Sequence, residues 1–289
     1  MKVNKNHLKD HFIVISKMIR LASFDMGSSN FSQYVEEFDP EIMYKLEARY
    51  KALPEHLRRK TKGPMNSKIE ELLRETTLCG TRITTGVYDF TVEIGQGWDI
   101  LSRQKFLNHM ERFKKIWNTC DIFIIEQQYF NTGFKGKKPK FGGANQPNGG
   151  ANIDAIKIGE ATFMWLLQKY PDVPIMYFGS QYKTQIFGAP WKMTKPERKK
   201  WSTNKAKMIY TERKDEDMIK LFELAEAVKR KQINTKAKIQ TFVDDYECDS
   251  LDAKELALKI IKDKQKLDDV GDSCTQAQAF KFKSMVGCF

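Results

Sequence analysis

Four consecutive residues constrain this chain more than any other stretch: Ile122-Phe123-Ile124-Ile125, held between Asp121 and Glu126. A half-buried strand alternates apolar and polar side chains, so an unbroken β-branched and aromatic run reads as a strand buried on both faces. Such a strand belongs inside a parallel sheet with helices covering both sides. A second run of this kind, Val173-Pro-Ile-Met-Tyr-Phe178, follows after helical spacing over 152–170 through Ile153, Ile156, Phe163, Leu167 and Tyr170. The two runs and the helix between them read as a right-handed crossover unit.

The upstream half has a different rhythm. Residues 18–26 read as a strand ended by the turn residues Gly27-Ser28-Ser29-Asn30, and a second extended stretch runs from Phe31 to Phe38. Residues 41–78 switch to helical spacing, with a Lys/Arg-rich middle and a break at Gly63-Pro64. Ile83 to Ile94 has strand composition and is closed by Gly95-Gln96-Gly97. Residues 100–118 place Ile100, Leu101, Phe106, Leu107, Met110, Phe113 and Trp117 at amphipathic-helix spacing. The pattern predicts an α/β fold: a mixed five-stranded sheet, an antiparallel meander followed by parallel strands, flanked by helices. Residues 1–17 read as a basic arm. Residues 18–289 read as one domain with a helical insertion at 41–78, a Gly/Lys-rich loop at 131–150 and a basic helical segment at 185–261.

Composition removes several classes. With 41% apolar and 12% aromatic residues over 289 positions, the chain has ample material for a packed core and is not wholly disordered. The longest apolar run, Phe163 to Leu167, falls far short of the ~20 residues of a spanning helix, so no membrane partner is expected. Residues 1–20 lack the apolar core of a secretory signal. The cysteines, at 79, 120, 248, 274 and 288, are odd in number and never stand as Cys-x-x-Cys. They support neither a disulfide framework nor a zinc knuckle, and suggest an intracellular, reducing compartment.

A formal charge of +12 favours a polyanionic partner. Between Lys192 and Lys238 there are 15 Lys and Arg against 7 Asp and Glu, two-thirds of the chain's excess. A solvated helical face is the plain reading, and phosphate contact the sharper one, with Lys199, Lys200, Lys205 and Lys207 as candidates. The 131–150 loop carries Lys135, Lys137, Lys138 and Lys140 among six glycines, with Phe134 and Phe141 between. It has too little apolar area to order itself, and reads as a DNA-contacting loop or a linker.

Acids appear where the surrounding pattern does not call for them. Asp25 ends the first strand, Glu126 ends the Ile-Phe-Ile-Ile run, and Asp268, Asp269 and Asp272 open a small, apolar helix near the C-terminus. Each has an ordinary explanation: a strand-ending turn, a solvated strand end, acids suited to a helix N-terminus. Together they say more. If strands 18–26 and 121–126 are neighbours, Asp25 and Glu126 converge, and an incoming helix adds Asp269 and Asp272 from one face. Carboxylates crowded at one point need a cation, and all-oxygen ligation suits Mg²⁺ or Mn²⁺. Two ions about 4 Å apart would activate a water and stabilise a departing 3′ oxygen.

Phe24-Asp25-Met-Gly-Ser-Ser-Asn30, Ile124-Ile-Glu126-Gln-Gln128 and Lys266-Leu-Asp268-Asp269-Val-Gly-Asp272-Ser273 resemble the RuvC-like Holliday junction resolvases, most of all their poxvirus-type, viral branch. The resemblance covers 18–38, 81–183 and roughly 262–285. It implies an RNase H-like fold, a magnesium-dependent four-carboxylate site (two ions) and a homodimer that cuts four-way DNA junctions in recombination and repair, without a nucleotide cofactor. By motif, Asp25, Glu126, Asp269 and Asp272 take the catalytic and metal-binding places, with Asp268 as an adjacent ligand. The segments 41–78, 131–150 and 185–261 exceed what a minimal resolvase needs.

Two other classes compete. Asp25-Met-Gly-Ser-Ser-Asn30 also resembles the first phosphate loop of actin-like ATPases and sugar kinases, but no second such loop follows a strand here. No Walker-type Gly-x-x-x-x-Gly-Lys-Ser/Thr occurs. A non-catalytic DNA-binding module would need only the basic segments and leave the strand-end acids unexplained. His7 and His11 lack further ligands, and Asp245-x-Glu247-x-Asp249 has Ser250 where a calcium loop requires glycine.

Overall fold

The computed structural model describes residues 18–58, 65–92, 98–128, 153–190, 192–229 and 267–287. The basic arm 1–17 and the loop 131–150, with Lys135, Lys137, Lys138, Lys140, Phe134 and Phe141, lie outside the described residues.

Five strands form one mixed sheet in the order β3-β2-β1-β4-β5. β1 (Ile19–Asp25) turns back through 26–30 into β2 (Phe31–Phe38), and the two pair antiparallel from Ile19 opposite Phe38 to Asp25 opposite Ser32. β3 (Gly80–Tyr88) adds antiparallel on the other edge of β2. β4 (Ile122–Gln127) lies parallel to β1, and β5 (Ile175–Gly179) parallel to β4. This is the predicted α/β class, consistent with an RNase H-like fold. β1 is the pivot, with an antiparallel neighbour on one side and a parallel one on the other. Ligand sites in open α/β sheets form outside the carboxyl ends of parallel strands.

Period-two alternation sorts the strand residues between two cores. Ala22, Phe24, Phe31, Val35, Phe123 and Ile125 face one side, where α4 (Ile100–Arg112), α5 (Lys114–Trp117) and α6 (Ile153–Lys169) contribute Phe106, Trp117 and Leu166. Ile19, Leu21, Tyr34, Phe38, Ile122 and Ile124 face the other, under α1 (Pro40–Ala52), α3 (Ser67–Leu78), α7 (Gln181–Ile186), α8 (Lys195–Arg213), α9 (Glu216–Lys229) and α10 (Leu267–Phe280). A short α2 (Glu55–Arg58) links α1 to α3. Asp25 and Glu126 continue the second set, so both point toward α7 and α10.

The helices start where their chemistry predicts. Asp39 caps α1 by accepting from Glu41 N at 2.9 Å, with Pro40 at the first turn, and Thr194 and Glu197 form a capping box at α8. The predicted helix 100–118 is two pieces, because Phe113 leaves helical geometry at φ −89°, ψ 6°. The third strand also differs from expectation, running from Gly80 to Tyr88 instead of Ile83 to Ile94. Its limits come from its partner: β2 offers pairing from Phe38, opposite Gly80, to Phe31, opposite Tyr88. No helix among the described residues is long and apolar enough to cross a membrane.

Buried on nearly every side, α10 needs a close approach to α8. A Cβ on Gly271 would lie 2.9 Å from Ser202 O, so a larger residue would push the two helices apart. Side chains tie α10 to the sheet: Ser23 Oγ donates to Ser273 O at 2.9 Å, and Gln276 Nε2 donates to Phe24 O at 3.0 Å.

Candidate functional site

The parallel register pairs Phe24 with Ile125, so Asp25 and Glu126 sit one step further on, side by side at the ends of β1 and β4. Both are buried, and their carboxyl groups lie within hydrogen-bond reach of each other. Asp272, one turn inside α10, arrives from above. These three acids meet on a group that sequence reasoning missed, the ammonium of Lys183 in α7. Lys183 Nζ is 2.8 Å from Glu126 Oε1, 3.5 Å from Asp25 Oδ2 and 3.6 Å from Asp272 Oδ2.

Neighbouring amide and hydroxyl groups aim the carboxylates. Gln128 Nε2 donates to Glu126 Oε2 at 2.6 Å, and Ser202 Oγ donates to Asp272 Oδ1 at 2.6 Å. Burial, then the charge of Glu126, drive the Asp25 carboxyl well above its usual range, against the pull of Lys183. Burial would also raise Glu126, but Lys183 and its hydrogen bonds outweigh that and hold it low. Burial works against the Lys183 charge, and Asp25, Asp272 and Glu126 overcome it, so the amine stays protonated.

The other two acids of the motif lean elsewhere. Asp268 is buried and forms an ion pair with Lys199 of α8. Asp269 is half-buried in the first turn of α10 and, with Asp268 and Asp272, favours the charged form of Lys199. The structure therefore gathers Asp25, Glu126 and Asp272 at one point, with Asp268 and Asp269 on the α8 side.

All the donors at this point are carboxylate oxygens, the set that a hard divalent cation takes. Among the described residues no three ligating side chains are spaced to hold an ion as they stand. The position is filled by Lys183 Nζ, a single positive charge around which the carboxylates are already ordered. Donor chemistry and this stand-in charge both fit a magnesium-type ion.

The basic candidates on α8 divide. Lys200 is exposed. Lys199 serves Asp268, Lys205 lies 5.2 Å over the Phe187 ring and is lowered by burial, and Lys207 pairs with Glu226 at 2.5 Å. Three of these four lysines thus have partners within the protein, with Lys199 and Lys207 still part-exposed. Cys79, Cys120 and Cys274 are free thiols.

The signal that bears on Lys183 appears only once the sheet order is known. β5 runs parallel to β4, so the chain leaves it at the same sheet end as Asp25 and Glu126, and Lys183, in α7, is the first cation after it. Ser202 and Gln128 carry no such signal, since their roles depend on packing.

No protein-family model matches the chain, and no solved structure matches it significantly. Over 109 residues the chain is 28% identical to Uncharacterized protein 97L of Invertebrate iridescent virus 3. That stretch is 38% of this chain and 43% of the relative, so the match spans less than half of either protein.

Proposed function

We propose that the chain is a Mg²⁺- or Mn²⁺-dependent endodeoxyribonuclease that resolves four-way DNA junctions by paired, symmetric cuts. The observation that carries this reading is the convergence of Asp25, Glu126 and Asp272, from three separate elements, on one buried cationic point at the end of the sheet. A purely DNA-binding module would have no use for it. The motif resemblance to viral junction resolvases supplies the substrate, and the partial likeness to an iridescent-virus protein is in keeping with that branch.

In this reading Asp25, Glu126 and Asp272 hold the metal, with Asp269 beside them on α10. Bound there, one or two ions would activate a water and stabilise the departing 3′ oxygen. The protein's own part is positioning. Gln128 and Ser202 fix the orientation of two carboxylates, and Gln276 locks α10 against the end of β1. Lys183 keeps the three carboxyl groups together and offers an ammonium to a phosphate oxygen. Lys200 and the loop 131–150 supply backbone contacts to DNA.

A homodimer matches the near two-fold symmetry of an open junction and places two identical sites on it. α4 and α6 leave apolar side chains for such an interface: Ile100 is 80% exposed and Met164 59%.

The test is a labelled four-way junction beside linear duplex, with Mg²⁺ and protein. Paired nicks in the junction alone are expected, from a dimer by light scattering. Asp25→Asn, Glu126→Gln and Asp269→Asn should abolish cutting while sparing junction binding. Near wild-type cutting by all three variants would overturn the site assignment, and equal cutting of linear duplex would overturn the substrate.

A further inference from the structure

Lys183 gathers the three converging acids as a metal ion would, and the two cannot do so together. Its side chain is 8% exposed, and its ammonium has three carboxyl groups around it, with Glu126 Oε1 at 2.8 Å, Asp25 Oδ2 at 3.5 Å and Asp272 Oδ2 at 3.6 Å. A magnesium-type ion takes carboxylate oxygens at about 2.1 Å. Held by the same Glu126 oxygen, such an ion would lie no more than about 5 Å from the ammonium. Like charges that close, in a pocket where salt and water screen them little, repel strongly. The lysine and the ion are rivals for one set of oxygens.

The pocket is more open on one side. The side chains of Asp25 and Glu126 are 11% and 8% exposed and that of Asp272 is 30%, so the approach runs past Asp272. Lys183 can move out along it. It stands on α7, a helix of six residues whose N-cap, Ser180, makes no side-chain cap bond, and its four-carbon stem gives the ammonium several rotatable bonds of reach. A phosphate oxygen is the ligand that would draw it. The same phosphate group attracts the ammonium and offers a divalent ion the further oxygen that completes its shell.

We infer that Lys183 gates the metal site: in the free protein its ammonium holds the acids against a divalent ion, and a DNA phosphate admits the ion by drawing the ammonium off the carboxylates. This rests on the nuclease reading and adds regulation to it. Metal and junction then bind cooperatively, each tightening the other by the same factor. The site is loaded for cutting only where a DNA backbone is already seated.

Three variants of the full chain test it. Lys183→Met removes the charge and keeps most of the stem. Lys183→Gln also removes the charge but keeps a donor for Glu126, which guards against a fold lost with the ion pair. Lys183→Arg retains the charge. Without DNA, Mn²⁺ binding read by electron paramagnetic resonance should be ~10-fold tighter in the two neutral variants than in the wild type, and as weak as wild type in Lys183→Arg. Mn²⁺ should also raise the unfolding temperature of Lys183→Met by ~3 °C more than that of the wild type. With a four-way junction shown by electrophoresis to stay intact, Ca²⁺ should tighten wild-type binding ~10-fold over EDTA, and Lys183→Met binding by no more than ~3-fold. Equal Mn²⁺ affinity in the wild type and both neutral variants, or equal tightening by Ca²⁺, overturns the gate alone when the wild-type protein still cuts the junction. No Mn²⁺ binding by any of the four proteins, with or without junction, and no cutting overturns the nuclease reading with it.

Discussion

Two buried charge clusters lie on the same face of the sheet, a few residues apart along β1, β2 and α10, and their charge balances are opposite. Around Glu36 in β2, Lys281 Nζ stands at 2.7 Å and Arg213 Nη2 at 2.9 Å, while Tyr34 Oη and Gln278 Nε2 donate to the same carboxylate at 2.8 and 2.9 Å. Glu36 and Lys281 are both 0% exposed. One acid faces two cations. At Asp25 the ratio reverses, with three acids around the single cation Lys183. Burial pushes both leading carboxyls toward their neutral form. Lys281 and Arg213 overcome it and hold Glu36 down at about 2, while Glu126 adds to it at Asp25, which rises. The first cluster is complete within the protein and clamps β2, α8 and α10 together. The second gathers three acids on one cation, the imbalance on which the proposed metal site rests.

The largest effect should come from breaking the complete cluster. Glu36→Ala strands two buried cations and should lower stability by about 3–5 kcal/mol in urea unfolding. The pH dependence follows the same sign. With its folded value near 2 and its ordinary value 4.5, Glu36 contributes stability that is fully present above pH 4.5 and is lost as pH falls toward 2. A Glu36→Ala loss of under ~1 kcal/mol would mean that the cluster is ornamental, since unpaired buried charges cost several times more.

A middle-sized effect is expected on the opposite face, which is aromatic where this one is charged. His109 is buried against Phe31, Tyr88, Phe90 and Phe113 and bonds Gln33 Oε1 at 2.8 Å. Burial, aided by Arg112, holds its pKa at about 3 against an ordinary 6.5. The unfolded chain therefore takes up a proton that the fold excludes, and stability falls as pH drops from 6.5 toward 3. The loss should reach about 2 kcal/mol near pH 5. His109→Gln should flatten that limb of the stability–pH curve, and an unchanged limb would refute the assignment.

The smallest effect carries the sharpest contrast. Asp25→Asn replaces a carboxyl that burial and Glu126 already push toward its neutral form, so it should leave metal-free stability unchanged or raise it by ~1 kcal/mol, in the range of one relieved carboxyl pair. Thermal unfolding in EDTA measures it. A loss as large as that of Glu36→Ala would show that the two clusters are of one kind.

Local chemistry in the sequence determined a good deal. The run Ile122–Ile125 marked a central parallel strand, Gly27-Ser28-Ser29-Asn30 a tight reversal, and the acids at strand ends a point of convergence, because periodicity and turn chemistry act within a few residues. That convergence was conditional on strands 18–26 and 121–126 being neighbours, a condition the fold meets by pairing β1 parallel with β4. Other features were decided by packing alone. Lys183, Ser202 and Lys199 look like ordinary residues of a polar, basic stretch until α7 and α8 settle over the sheet. Glu36 drew no notice in the stretch 31–38, yet it is fully buried and pairs with Lys281 and Arg213, 245 and 177 residues away. The net charge of a segment survives folding, but its availability does not. Lys205 and Lys207 are spent on Phe187 and Glu226, while the exposed cations of α4 drew no notice in a helix recognised by its apolar stripe. A side chain's chemistry is written in the chain, whereas the partner that neutralises it, and the dielectric in which they meet, exist only once distant segments are brought into contact.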